Sequence, residues 1–143
     1  MGIPHSVFEH DQAPRTLEQA AEERGQRPEQ VVRSILFRVS QGEYLMVLMA
    51  GSGQVDWKSL RKYLGISRIS MASKEEVLKM TGYELGAVAP FGLPAPIQVL
   101  VDESVLKEAE ISLGSGVRGT AVLMKARDLV SALGEVEILP LGK

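Results

Sequence analysis

Two glycine-rich stretches carry the residues best suited to chemistry in this chain. The first is Thr81-Gly82-Tyr83-Glu84-Leu85-Gly86-Ala87-Val88-Ala89-Pro90-Phe91-Gly92, which is neither helix-periodic nor strand-alternating. The second is Gly114-Ser115-Gly116-Val117-Arg118-Gly119. Glycine admits positive φ and lets a ligand come close to backbone amides. Two such loops that converge would make a small-ligand site built largely from main chain. No obvious side-chain catalytic set competes with them. The chain has no cysteine, which removes disulfides, thiolate metal sites and cysteine nucleophiles. Its two histidines, His5 and His10, lie in the N-terminal segment without metal-ligand spacing. They are expected to be solvated or locally packed, and no metal or cofactor is expected.

The elements that must position these loops can be read from caps and periodicity. Thr16-Leu17-Glu18-Gln19 has the form of a capping box, and Gly25 is placed to end the helix it opens. Pro28 suits the first turn of a short helix. Ser34 to Val39 and Tyr44 to Met49 read as a hairpin around Ser40-Gln41-Gly42-Glu43, with the second strand apolar throughout and so buried on both faces. Asp56 caps a helix from Trp57 to Leu64, closed by Gly65. Ile66 to Met71 alternates as a strand would, and Ser73-Lys74-Glu75-Glu76 opens a helix ending near Thr81-Gly82. Ile97 to Val101, Glu110 to Leu113, Thr120 to Met124 and Val136 to Leu139 read as further strands, with a short turn near Val105 and a helix from Ala126 to Leu133. Helices and strands mix without a βαβ rhythm, which points to one α+β domain over residues 1–143.

Bulk properties narrow the class. At 143 residues, with 45% hydrophobic and 24% charged content, the chain can bury a core of its own. No basic-then-apolar leader and no membrane-length apolar run is seen, so a cytoplasmic location without membrane partners is expected. A net charge of −2 argues against general nucleic-acid affinity, and no DNA partner is expected. The charge is unevenly spread. Lys58, Arg61, Lys62, Arg68, Lys74 and Lys79 face only Glu75 and Glu76 within residues 57–79. That segment is either a solvated helical face or a patch for phosphates.

With these pieces in order, the chain resembles the YbaK/prolyl-tRNA-synthetase-associated domain family. The family comprises free-standing relatives of the editing domain of bacterial prolyl-tRNA synthetases. The resemblance rests on Glu29 to Leu36, on Gln54-Val55-Asp56 with its helix ending Tyr63-Leu64-Gly65, on the two glycine loops, and on Val99 to Ser104. It runs from about Pro14 to Leu139. It implies a compact α+β domain with a mixed, barrel-like sheet flanked by helices. It also implies hydrolysis of the ester on a mischarged tRNA, commonly alanine or cysteine on the tRNA for proline. The implied partners are the 3′ end of an aminoacyl-tRNA and prolyl-tRNA synthetase.

The same resemblance assigns candidate residues. The family's GxxxP segment, here Gly86-Ala87-Val88-Ala89-Pro90, lines the site. An aminoacyl ester needs position and oxyanion stabilisation more than a strong nucleophile, and glycine-loop amides suit that task. Amides around Gly86 to Ala89 and Gly114, Ser115 and Gly116 are expected to hold the ester and the aminoacyl group. Gly86→Val is then expected to abolish deacylation with the fold intact. Arg33 stands where the family usually has a lysine needed for activity. Arginine keeps the charge and grips phosphate with two prongs but is no base near neutral pH. Arg33 therefore either anchors the tRNA end or leaves a slow, tRNA- or synthetase-binding module. A third reading is a small-molecule binder with an anion nest on the same fold. Gly82, Tyr83, Asp102 and Arg118 are further binding candidates. Asp102 can equally cap the next turn, Arg118 a strand end, and Tyr83 can simply pack its loop. Met46 and Met49 either fill the core or shape the amino-acid pocket.

Overall fold

The computed structural model describes residues 3–94 and 96–143. Strands β1 (His5–Glu9) to β8 (Glu137–Leu139) and four helices follow the sequence signals closely in the middle of the chain. β2 (Val32–Ser40) and β3 (Glu43–Ala50) form the antiparallel hairpin, turned at Gly42, whose φ of 78° suits a residue without Cβ. β4 (Ser70–Met71) lies on one side of β2, while β5 (Gln98–Asp102) and then β8 run parallel beyond β3. The sheet order is therefore β4-β2-β3-β5-β8. A second sheet, β1-β7-β6, is antiparallel throughout, with β6 at Glu110–Gly114 and β7 at Thr120–Lys125.

β3 explains the core. Leu45 to Ala50 are all buried, so the strand feeds two apolar layers. On one face, Phe37, Leu45, Val47, Met49 and Leu100 pack with Leu60 of α2 (Trp57–Leu64) and with Leu141. Trp57 meets the Phe37 ring edge-on at 5.5 Å. On the other face, Leu36, Met46, Leu48 and Val101 pack with Ile111 and Leu113 of β6, Val77 of α3 (Lys74–Thr81) and Leu129 of α4 (Ala126–Leu133). Each fully buried aliphatic side chain contributes about 1.5–3 kcal/mol.

The caps act as their residue types dictate. Thr16 accepts from the Gln19 amide at the start of α1 (Leu17–Glu23), Asp56 from Lys58 and Ser59, and Ser73 and Glu76 close a reciprocal capping box. Gly65 and Gly82 end α2 and α3 in the left-handed conformation.

One strand adds to the sequence reading, and two expectations are revised. β1 is a strand although His5-Ser6-Val7-Phe8-Glu9 lacks an alternating apolar face; it pairs at the edge of its sheet and leaves Val7 exposed. The Ile66 to Met71 segment supplies only two paired residues, because Ser67 and Arg68 face solvent. The strands also form two sheets rather than one closed barrel. Only a single parallel bridge, Val31 to Ser112, joins β2's start to β6 among the described residues. β4 covers only Phe37 and Arg38 of β2, so the β2 edge from Arg33 to Ile35 has no partner strand among the described residues. The two sheets leave a wedge there. No helix among the described residues is long and apolar enough to cross a membrane.

Candidate functional site

The wedge holds a cavity of about 380 Å³. β2 contributes Val32 to Leu36, α1 contributes Leu17 and Ala20, and Arg24 at the helix C-cap closes one side. The first glycine loop adds Leu85, Gly86 and Val88, and the other sheet adds Gly114 and Thr120. The size is that of an ordinary small-ligand pocket. Both glycine loops and Arg33 thus meet around one cavity.

The loops are joined directly. The Gly116 amide donates to the Ala87 carbonyl at 2.9 Å. A Cβ on Gly114 would lie 2.4 Å from the Val88 carbonyl oxygen, so only glycine lets the β6 end approach that backbone. Tyr83 fixes the junction from outside: its ring lies over Gly116, and its hydroxyl donates to the Phe91 carbonyl. Two amides expected at the site are therefore already spent, Gly116 on Ala87 and Ala87 on the Glu84 carbonyl. The Gly86 and Val88 amides donate to no backbone carbonyl among the described residues. Gly86 has φ 92°, where any L side chain is strained, although no atom crowds its missing Cβ. Gly86→Val thus adds backbone strain to whatever it does at the ligand, so an intact fold is not expected of it.

Arg33 is half-buried. Its Nη2 donates to the Gly53 carbonyl, while Nε is buried without a partner among the described residues. The neighbouring Ser34 hydroxyl is buried and equally unpartnered. Burial pushes the Arg33 pKa below its ordinary value, and arginine still stays cationic. An unsatisfied buried donor is costly, and a pocket that supplies the missing acceptor through a ligand relieves that cost.

Sequence reasoning missed Arg24. Its Nε donates to His10 Nε2 at 3.1 Å and its Nη1 to the Ser112 hydroxyl at 2.9 Å. Burial lowers its pKa too, with nearby Glu23 acting in the opposite direction. His10 is packed, its side chain fully buried, with Nδ1 2.6 Å from the Glu23 carboxylate. That contact, ahead of the one from Gln19, holds the Glu23 carboxyl below the usual range. Arg15, Arg24 and Arg33 line the cavity, and no carboxylate does among the described residues. No linear signal links Arg24 to Ser112, 88 residues away.

Other expected residues lie elsewhere. Met46 and Met49 are buried in the two core layers and do not line the cavity. Asp102 is buried and accepts from the Ser104, Leu141 and Gly142 amides, pinning the C-terminal segment. Gly82 is the exposed helix cap and Arg118 is exposed. Ala89, Ser115 and Tyr83 line a smaller cavity of about 190 Å³ that shares Gly114 with the first, and Pro90 borders a separate cleft.

This arrangement has known counterparts. Residues 11–132 match the aminoacyl-tRNA editing domain family. The uncharacterized protein YwhH of Bacillus subtilis (strain 168) is 31% identical, over 87% of this chain and 79% of its own length. The proline–tRNA ligase of Limosilactobacillus fermentum is 32% identical over 73% of this chain, which spans only 19% of that ligase. The crystal structure of a protein proposed as a trans-editing enzyme for prolyl-tRNA synthetase superposes with a TM-score of 0.88. It is 25% identical, covering 97% of this chain and 87% of that one. On this match and this cavity, the chain belongs to the aminoacyl-tRNA editing domain family.

Proposed function

We propose that the chain, acting as one editing unit over residues 1–143, hydrolyses the ester of a mischarged tRNA in trans. The observation that carries this is the one cavity where Arg33, Gly86, Val88 and Gly114 meet in a chain of this family. Water adds to the ester carbonyl carbon and the bond to the ribose oxygen breaks. The ribose hydroxyl recovers a proton, and the free amino acid leaves. The neighbouring ribose hydroxyl helps deliver water, so the protein need only hold the ester and stabilise the oxyanion. The Gly86 and Val88 amides are the donors available for that task. Arg33 holds the tRNA end by charge and does not act as a base.

The family resemblance makes the amino acid small, alanine or cysteine on the tRNA for proline, and selection against larger ones is then steric, at about 1–3 kcal/mol per excluded methylene. The tRNA body runs along the groove that Arg38, Arg61 and Arg68 line beside the cavity, β2 passing from one to the other. Binding should then weaken as salt rises. A second reading, a binding module with little activity and prolyl-tRNA synthetase as partner, is favoured by arginine standing at position 33. Incubation with the tRNA for proline carrying labelled alanine, cysteine or proline separates the two. Release of alanine or cysteine with proline retained supports editing, and binding without release supports the module.

A further inference from the structure

We propose that Arg24 and Arg33 form a two-guanidinium clamp for one anionic group inside the wedge. The clamp rests on the editing reading only for the source of the anion. Each arginine is partly committed to the protein. Arg24 uses Nε on His10 and Nη1 on Ser112, and Arg33 uses Nη2 on the Gly53 carbonyl. Nη2 of Arg24, and Nη1 and Nε of Arg33, have no partner among the described residues, and that Nε is buried. None of the groups that hold the two guanidiniums is a carboxylate. Glu23 makes no hydrogen bond to Arg24 among the described residues; it bonds His10, which bonds Arg24, and its charge favours the Arg24 cation.

A buried cation ordinarily ends on an acidic partner, because desolvation is costly without one. Here two half-buried cations line one cavity with no acid in its wall among the described residues, and both keep free donors. Planar guanidinium forks match the paired oxygens of a phosphodiester or a carboxylate. His10 and Ser112 are positioning residues for Arg24. The imidazole is itself fixed by Glu23 and by the edge of Phe8, 4.8 Å away. Gln19 in turn donates to Glu23. The chain of contacts from α1 to β6 therefore orients one prong, and the Gly53 loop orients the other. In the editing reading the anion is the phosphodiester just before the terminal adenosine. A carboxylate side chain on the misloaded amino acid has the same chemistry and is the other source.

Calorimetric titration of the full chain tests this. The probes are cytidylyl-(3′→5′)-adenosine, adenosine alone, aspartate methyl ester and alanine methyl ester. The proteins are the wild type, Arg24→Gln, Arg24→Lys and Arg33→Gln. The clamp predicts that dinucleotide affinity falls about tenfold in each glutamine variant while adenosine affinity holds. Arg24→Lys should fall between, keeping charge without the fork, and it supplies the comparison if Arg24→Gln does not fold. Loss of an aspartate-over-alanine preference in the same variants keeps the clamp and assigns the anion to the side chain. A wild type that prefers neither the dinucleotide over adenosine nor the aspartyl over the alanyl ester overturns the clamp. So do preferences that Arg24→Gln and Arg24→Lys leave unchanged. Because these probes need no turnover, a clamp without deacylation rejects only the editing reading. Deacylation indifferent to Arg24 rejects only the clamp.

Discussion

The two edges of β2 are built on opposite terms. Toward β3 the strand is paired along its length, and the α2-covered face beside it is closed by Phe37, Trp57, Leu60 and Leu141, with the Asp102 carboxylate satisfied by three amides. Toward β6 the same strand meets its neighbour by one bridge and then stands open. There two guanidiniums, an unpartnered hydroxyl and glycine backbone line a cavity. The first arrangement stabilises the fold and leaves nothing for a ligand to complete. The second leaves polar groups unmet, and such incompleteness marks where a ligand supplies what the chain withholds.

The contrast can be broken most forcefully from the closed side. Leu60→Ala removes a fully buried side chain and should cost about 2–5 kcal/mol of stability while leaving single-turnover deacylation at low temperature near wild type. Denaturant unfolding beside a kinetic assay checks both. Gly114→Ala acts at the seam. Its Cβ must push the Val88 carbonyl, so about 1–3 kcal/mol of stability should be lost, and activity should fall by more than that loss explains. Equal activity would mean that the loop junction does not shape the site. Ser73→Ala removes one half of the capping box on α3 and should cost about 1 kcal/mol with no change in rate.

The smallest effect is in pH. Glu76 is held below the ordinary carboxylate range, first by the Ser73 amide and then by the Tyr44 hydroxyl. A depressed carboxyl adds stability that is present above its unfolded pKa and lost as pH falls through the folded one. Glu76→Gln should flatten that acid limb in pH-resolved thermal unfolding, leave the neutral range parallel to wild type, and alter the alkaline limb, where Glu76 holds the Tyr44 hydroxyl above its ordinary pKa.

The parts legible in the sequence were those governed by local chemistry. Caps at Thr16, Asp56 and Ser73 and stops at Gly65 and Gly82 each act through neighbours within a turn, so the helices fall where the residues place them. The meeting of the two glycine loops was also legible as a possibility, because both have the composition that close backbone approach requires. What could not be read depends on long-range partners. β1 is a strand only because β7 offers an edge, and the open β2 edge exists only because β4 stops after two residues. Arg24 has its place only because folding sets Ser112, 88 residues away, beside it. Met46 and Met49 were candidates for the pocket by type, but strand alternation sends them to opposite core layers.

Single-turnover deacylation of alanyl-tRNA for proline by wild type, Arg33→Lys and Arg33→Ala addresses the wedge most directly. The account predicts hydrolysis by the wild type, a rate within about tenfold for lysine, which keeps the charge, and a loss of about a hundredfold for alanine. Three equal rates, or no release by the wild type above the uncatalysed reaction, would contradict it.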